Sequence, residues 1–222
     1  MNRPLTCFLY FKAKVFLIVW SNQSNCLVLS SSLEPLARKK QYNEEEVIEK
    51  ATALFWKNGY EATTVRMLEK EMGINQFSIY SSFGNKQGVF LESINAYKKR
   101  IRCITEKLAQ SNNGKEGIKQ YFYDFLEFAK EDGKNKGCLV TNTVNEIKAD
   151  ADPLIMEQLM EFANSIKQLF IDNLLQEEGK TGEEAKRQSN YLMNSLLGLS
   201  VSSKVFDQSQ LKDTIEITFL NL

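Results

Sequence analysis

A chain of 222 residues has room for one large or two small domains, and its 28 basic and 28 acidic residues cancel, so no global field marks a nucleic-acid partner. Any such partner must be held by a local patch. The complete absence of histidine removes a His general base, a Ser-His-Asp triad and His-ligated metal sites, and Cys7, Cys26, Cys103 and Cys138 show no metal-ligand spacing. No catalytic residue, metal or other cofactor is expected. In a cytosolic chain the bland fate of these thiols is to stay reduced and unpaired, with a redox switch through Cys103 or Cys138 as the alternative.

Few prolines and little β-branched alternation predict an all-α fold. Residues 1–35 do not share the patterning of the rest of the chain. Val15 to Trp20 is apolar but falls well short of the ~20 residues a membrane span needs. The Ser30–Ser32 run leads into Leu36, and the basic arm Arg38, Lys39 and Lys40 comes directly after. We expect the leader to be translated upstream sequence, with Leu36 as the start. A genuine disordered extension or a weak membrane anchor is the alternative. The arm suits phosphate contact as well as a solvated terminus.

Helix patterning then begins. Asn43 and Glu46 have the spacing of a capping box, Tyr42 and Val47 that of its hydrophobic staple. Val47, Ala51, Leu54 and Phe55 form an inward stripe, and Gly59 ends the helix. Val65, Leu68 and Met72 share a face of a second helix that Gly73 stops. Asn75 can cap a third, with Ile74 and Ile79 as its staple. Two short helices joined by a glycine turn predict a helix-turn-helix. The second buries little beyond Ile79 and Phe83, which leaves Gln76, Phe77, Ser78, Tyr80 and Ser81 to face a partner. In this motif that partner is the DNA major groove.

Asn85 caps a long helix carrying Phe90, Ile94, Tyr97, Ile101, Ile104 and Leu108 inward. Lys98, Lys99, Arg100 and Arg102 lie mostly off that stripe and are expected on a solvated face. Ser111 to Gly117 is a loop by composition. An aromatic-rich helix over Ile118 to Lys130, a turn between Gly133 and Gly137, and a helix ending near Glu146 come next. Asp152-Pro153 opens a long helix. Two more helices, about 183–204 and 208–220, close the chain.

The spacing of Gly59-Tyr60, Thr63-Thr64, Gly73-Ile74, Ile79-Tyr80, Phe83 and Asn85-Lys86 resembles the signature of TetR-family transcriptional regulators, across Val47 to Phe90. One position departs from it. Where the two helices cross, the family usually has a small residue; this chain has Glu69. The resemblance implies a helix-turn-helix DNA-binding domain over 36–84 and an effector-binding, dimerising domain over 85–222. It implies base contacts by Gln76, Phe77, Ser78 and Ser81. Phosphate contacts fall to Thr64, Arg66, Tyr80, Ser82 and Lys86. Gln suits bidentate contact with adenine and Phe a thymine methyl. The implied protein is a cytoplasmic homodimeric repressor, released from a palindromic operator in double-stranded DNA by a small-molecule effector. It is no enzyme and has no membrane partner. A helical adaptor that has lost DNA binding through Glu69 is the alternative.

Aromatics at helical spacing are usually core. The resemblance makes an effector cavity the competing expectation, with Phe122, Phe125, Cys138, Asn142, Glu146, Phe162 and Ile166 as its lining. Dimerisation is expected through the last two helices, where Leu192, Leu196, Leu199 and Val205 are followed by Ile215 and Phe219.

Overall fold

The structure, a computed structural model, describes residues 7–11, 14–18, 42–131, 134–147, 152–220 and 222. The chain divides into two compact units, Met1–Gln41 and Tyr42–Leu222. In the first, strands β1 (Cys7–Phe11) and β2 (Lys14–Ile18) pair antiparallel, with Cys7 opposite Ile18 and Phe11 opposite Lys14. Sequence patterning assigns no strand there. The expected start at Leu36 and the basic arm Arg38–Lys40 lie outside the described residues.

The second unit holds nine α-helices among the described residues. These are α1 (Glu44–Asn58), α2 (Val65–Met72), α3 (Gln76–Phe83), α4 (Lys86–Ala109), α5 (Lys115–Phe128), α6 (Leu139–Glu146), α7 (Pro153–Leu174), α8 (Gly182–Ser202) and α9 (Gln208–Leu220). A two-residue ladder, β3 (Lys130–Glu131) with β4 (Lys134–Asn135), replaces the simple turn expected between α5 and α6. The fold class is the all-α one that the sequence predicts. None of the helices among the described residues is long and apolar enough to cross a membrane.

The caps explain most helix boundaries. Asn43, Thr64, Asn75, Asn85, Asp152 and Thr181 each turn a side-chain oxygen onto a free N–H of the adjoining first helical turn. The reciprocal box expected at Asn43 does not close. Asn43 accepts from Glu45 N at 3.0 Å, while Glu46 pairs with Lys50 one turn on. The reciprocal box forms instead at Thr181 and Glu184, at the head of α8.

Helix α4 is the spine. On one side it packs against α1, where Phe90 meets Phe55 edge-on at 4.9 Å and Tyr97 meets Trp56 at 5.1 Å. On the other it meets α5 and α7, and Asn173 of α7 donates to the Leu108 carbonyl at 3.2 Å. Helices α8 and α9 cover α7 and α5, with Phe122 wedged between Phe170 and Phe219. Of the α4 cations expected on a solvated face, Lys99 and Arg102 are exposed, but Lys98 and Arg100 are drawn in. Lys98 bonds Gln158 and Glu161 on α7, and Arg100 pairs with Glu49 on α1, so the spine is fastened to both neighbours. Long cationic side chains reach across a helix groove wherever a carboxylate stands opposite, a relation that one helix's pattern does not contain.

Candidate nucleic-acid interface

Helices α2 and α3 meet at Gly73, whose φ of 71° and ψ of 23° put it in the left-handed region. That conformation stops α2 and redirects the chain within two residues to Asn75, the N-cap of α3. Leu68, Met72 and Ile79 are buried beneath the turn, which fixes the angle between the helices. From behind, the Tyr42 hydroxyl lies 2.7 Å from Ser82 Oγ and donates to the Ser78 carbonyl at 3.4 Å. The recognition helix is thereby held at its N-terminus, along its underside and at its last turn.

Glu69 does not disrupt this corner. Its carboxylate reaches forward and accepts from the backbone N–H of Gln76 at 2.5 Å. A small residue would let the helices cross closely; Glu69 instead caps one of the orphan donors of α3, and its negative charge faces the positive end of that helix.

What remains outward is polar, with one large exception. Gln76, Phe77, Tyr80 and Ser81 are exposed, and Phe77 has 79% of its surface open to solvent. The Gln76 side-chain amide donates to the Tyr80 hydroxyl at 2.8 Å, which pre-orders the two. Ser78 and Ser82, also expected to touch DNA, are half-buried, and the Ser82 hydroxyl is engaged by Tyr42. On α2, Thr64 and Arg66 are exposed at the N-terminal end, and the Thr64 hydroxyl oxygen caps Met67 N at 3.2 Å.

Lys86 opens α4 beside this face. Its ammonium lies 4.3 Å from the centre of the Tyr60 ring and 3.4 Å from the Glu61 carbonyl. Partial burial pulls its pKa down, against the opposing pull of the Glu61 and Glu146 carboxylates. A desolvated cation at a helix N-terminus, next to free backbone N–H groups, is suited to an anionic oxygen.

The residues expected around an effector are distributed over four places. Phe122 and Phe125 are packed into the core of α5, α7 and α9. Cys138 is buried at the start of α6, where its sulfur accepts from the Tyr97 hydroxyl at 3.3 Å. Burial, and the Cys138 beside it, push the Tyr97 pKa well above its usual value. Phe162 and Ile166 border a groove of about 430 Å³ between α4 and α7. Asn142 and Glu146 border a larger cleft, about 870 Å³, whose other wall is the C-terminal half of α1, from Ala53 to Gly59. Trp56 closes its floor by donating to the Gly137 carbonyl at 3.0 Å. Sequence reasoning missed Tyr42, Trp56 and Glu61 as functional neighbours, and their partners lie 25 to 85 residues away.

In the last two helices Leu192, Leu196, Leu199, Ile215 and Phe219 are buried within the subunit. Leu197 and Val201, one turn apart on α8, are exposed, as are Tyr191, Val205 just beyond α8 and Leu220 on α9. Among the described residues no cluster of acidic or sulfur side chains has the arrangement to hold a metal ion.

Residues 47–93 match the family described as "Bacterial regulatory proteins, tetR family". The chain is 25% identical over 190 residues to the HTH-type transcriptional regulator YezE of Bacillus subtilis (strain 168), covering 82% of this chain and 97% of that one. It is 21% identical to the HTH-type transcriptional repressor ComR of Escherichia coli (strain K12), over 75% of this chain and 82% of that protein. Among solved structures, its fold matches the TetR family transcriptional regulator CifR, a cysteine mutant complexed with 26-base-pair operator DNA. The TM-score is 0.72 at 21% identity, covering 82% of this chain and 98% of that chain. Helix-turn-helix geometry, family match and fold agree: residues 47–93 carry the helix-turn-helix of the tetR family of bacterial regulatory proteins, and the chain as a whole resembles regulators of that family.

Proposed function

We propose that the protein is a homodimeric repressor that binds a palindromic DNA operator through α3 and is released by a small-molecule effector. The observation that carries the DNA contact is the outer face of α3. It is a short helix braced on every other side, yet it leaves Gln76, Phe77, Tyr80 and Ser81 in water. In this reading Gln76, Phe77, Ser78 and Ser81 meet base edges. Thr64, Arg66, Tyr80, Ser82 and Lys86 hold phosphates and set the register. The half-buried Ser78 and Ser82 serve at the rim of that surface rather than its centre. Glu69, the motive for an adaptor reading, is here a brace for the recognition helix.

A second copy supports the exposed apolar residues of α8 and α9. Exposed apolar side chains on the outside of an already filled core, Leu197 and Val201 one turn apart among them, call for an apolar partner, and two-fold pairing doubles the phosphate contacts. The domains are taken as 36–84 for DNA and 85–222 for effector and dimer, with α4 as the lever between them. An effector favours a conformer whose two heads no longer match successive major grooves. Such a protein works where its DNA is, in the cytoplasm. A mobility-shift titration on the region upstream of its own gene tests the proposal. Saturable binding that survives random competitor DNA supports it; equal loss to random competitor leaves the adaptor reading in front.

A further inference from the structure

One peptide, at Glu61 in the turn between α1 and α2, is gripped from two sides. Glu146, the last residue of α6, accepts from the Glu61 N–H at 3.2 Å through its carboxylate. Lys86, the first residue of α4, donates to the Glu61 carbonyl at 3.4 Å. A carboxylate at the C-terminal end of its own helix sits at the wrong pole of the helix dipole, so its placement needs an offsetting donor. The Glu61 N–H is that donor. Gly59 makes the approach possible: a Cβ there would lie 1.9 Å from Glu146 Oε1, and its φ of +85° admits few other residues.

The other end of α6 is tied to the far side of the molecule. Cys138 N donates to Ser200 Oγ on α8 at 2.8 Å. Asn142 is held through its side chain by Lys204, just past α8, and by the Lys136 carbonyl. Helix α6 therefore runs as a strut from α8 to the turn that Lys86 also touches. The wall of the 870 Å³ cleft includes Gly59, Asn142 and Glu146, so whatever fills it meets the strut. The Glu146 charge is also felt at the Lys86 ammonium.

We infer that Glu146 is a positioning residue for DNA binding: acting through Glu61, it sets where Lys86 meets a phosphate and links the α1–α6 cleft to the grip on DNA. This rests on the DNA-binding reading of α3 and Lys86. A ligand in the cleft that draws Glu146 away from Glu61 loosens the turn and with it the cation.

The test uses the full chain, with Glu146→Gln, Glu146→Ala, Lys86→Ala and the Glu146→Ala/Lys86→Ala pair. Amide exchange at Glu61 is followed without DNA. Affinity is measured on a duplex that the wild-type protein enriches from a randomised pool. Glu146→Ala should speed Glu61 exchange about ten-fold, and Glu146→Gln, which keeps an acceptor, should leave it near wild type. Glu146→Ala should weaken binding about five-fold alone but less than about two-fold in the Lys86→Ala background, because the two act as one unit. Unchanged exchange in Glu146→Ala overturns the inference, and so do equal penalties with and without Lys86. A wild-type protein that enriches no duplex overturns the DNA-binding reading itself, and the link to phosphate goes with it.

Discussion

Two exposed helical surfaces among the described residues are built differently. The outer face of α3 is polar, with Phe77 as its one large apolar side chain, on a helix of eight residues. The outer face of α8 and α9 carries exposed aliphatic side chains, Leu197, Val201 and Leu220, among polar ones, on helices of 21 and 13 residues whose inner faces already fill the core. A polar face with one aromatic suits a partner made of hydrogen-bonding edges and phosphates. Exposed aliphatic side chains suit an apolar partner. The contrast is between a face suited to recognition and one suited to assembly, although both begin as amphipathic helices with the same periodicity.

The sharpest way to break the contrast is to put the same charge on the two sides of α8. Leu196→Glu places a carboxylate in the subunit core and should cost on the order of 3–5 kcal/mol of stability. Leu197→Glu, one residue on, faces outward and should leave the thermal unfolding of the subunit nearly intact while shifting its mass to monomer. Circular-dichroism melts and size exclusion with light scattering check both. If Leu197→Glu stays dimeric, α8 is not the assembling face.

A carboxylate also braces each surface. Glu69 braces α3 across the turn, and Glu69→Ala should cost about 1 kcal/mol in a urea titration, as the loss of a helix cap does. Glu69→Gln should recover most of that loss. Glu216 braces α9, accepting from Lys119 Nζ at 2.7 Å and the Tyr123 hydroxyl at 2.6 Å. The hydrogen bonds from Lys119 and then Tyr123 hold its pKa below the usual carboxylate value. Burial, and then the bond to Glu216, push the Tyr123 pKa up to about 12. A depressed folded pKa means that the stabilising contribution is present above the unfolded value and is lost as pH falls through the folded one. Melting temperature should therefore drop less steeply below the ordinary carboxylate range in Glu216→Gln than in wild type. That is the smallest effect, since the pair is open to solvent.

Local chemistry was legible in the sequence. Asn75, Asn85, Asp152 and Gly73 mark helix ends because a cap acts within three or four residues of itself. The reach of Lys98, Arg100 and Glu69 was not legible, because each side chain ends on a neighbouring helix or turn. Tyr42 to Ser82, Trp56 to Gly137 and Glu146 to Glu61 escaped for the same reason: their partners are set by packing, not spacing. In α8 periodicity revealed an apolar stripe at Leu192, Leu196 and Leu199 but not which of the helix's apolar side chains face inward. Helix α6 shows the opposite case. Asn142 and Glu146, one turn apart, do border a common cleft, whereas Phe122, Phe125, Phe162 and Ile166 share an apolar character without sharing a place.

The central claim is that α3 reads DNA as half of a two-fold assembly. In-vitro selection from a randomised duplex pool, run with the wild-type chain and with Gln76→Ala, tests it most directly. The wild type should enrich an inverted repeat whose half-sites lie on successive major grooves. Gln76→Ala should bind that duplex more weakly by about 1–3 kcal/mol and lose preference at one symmetric pair of positions, with little change on random DNA. Enrichment of a non-repeated site, or selection by Gln76→Ala indistinguishable from wild type, would contradict the claim.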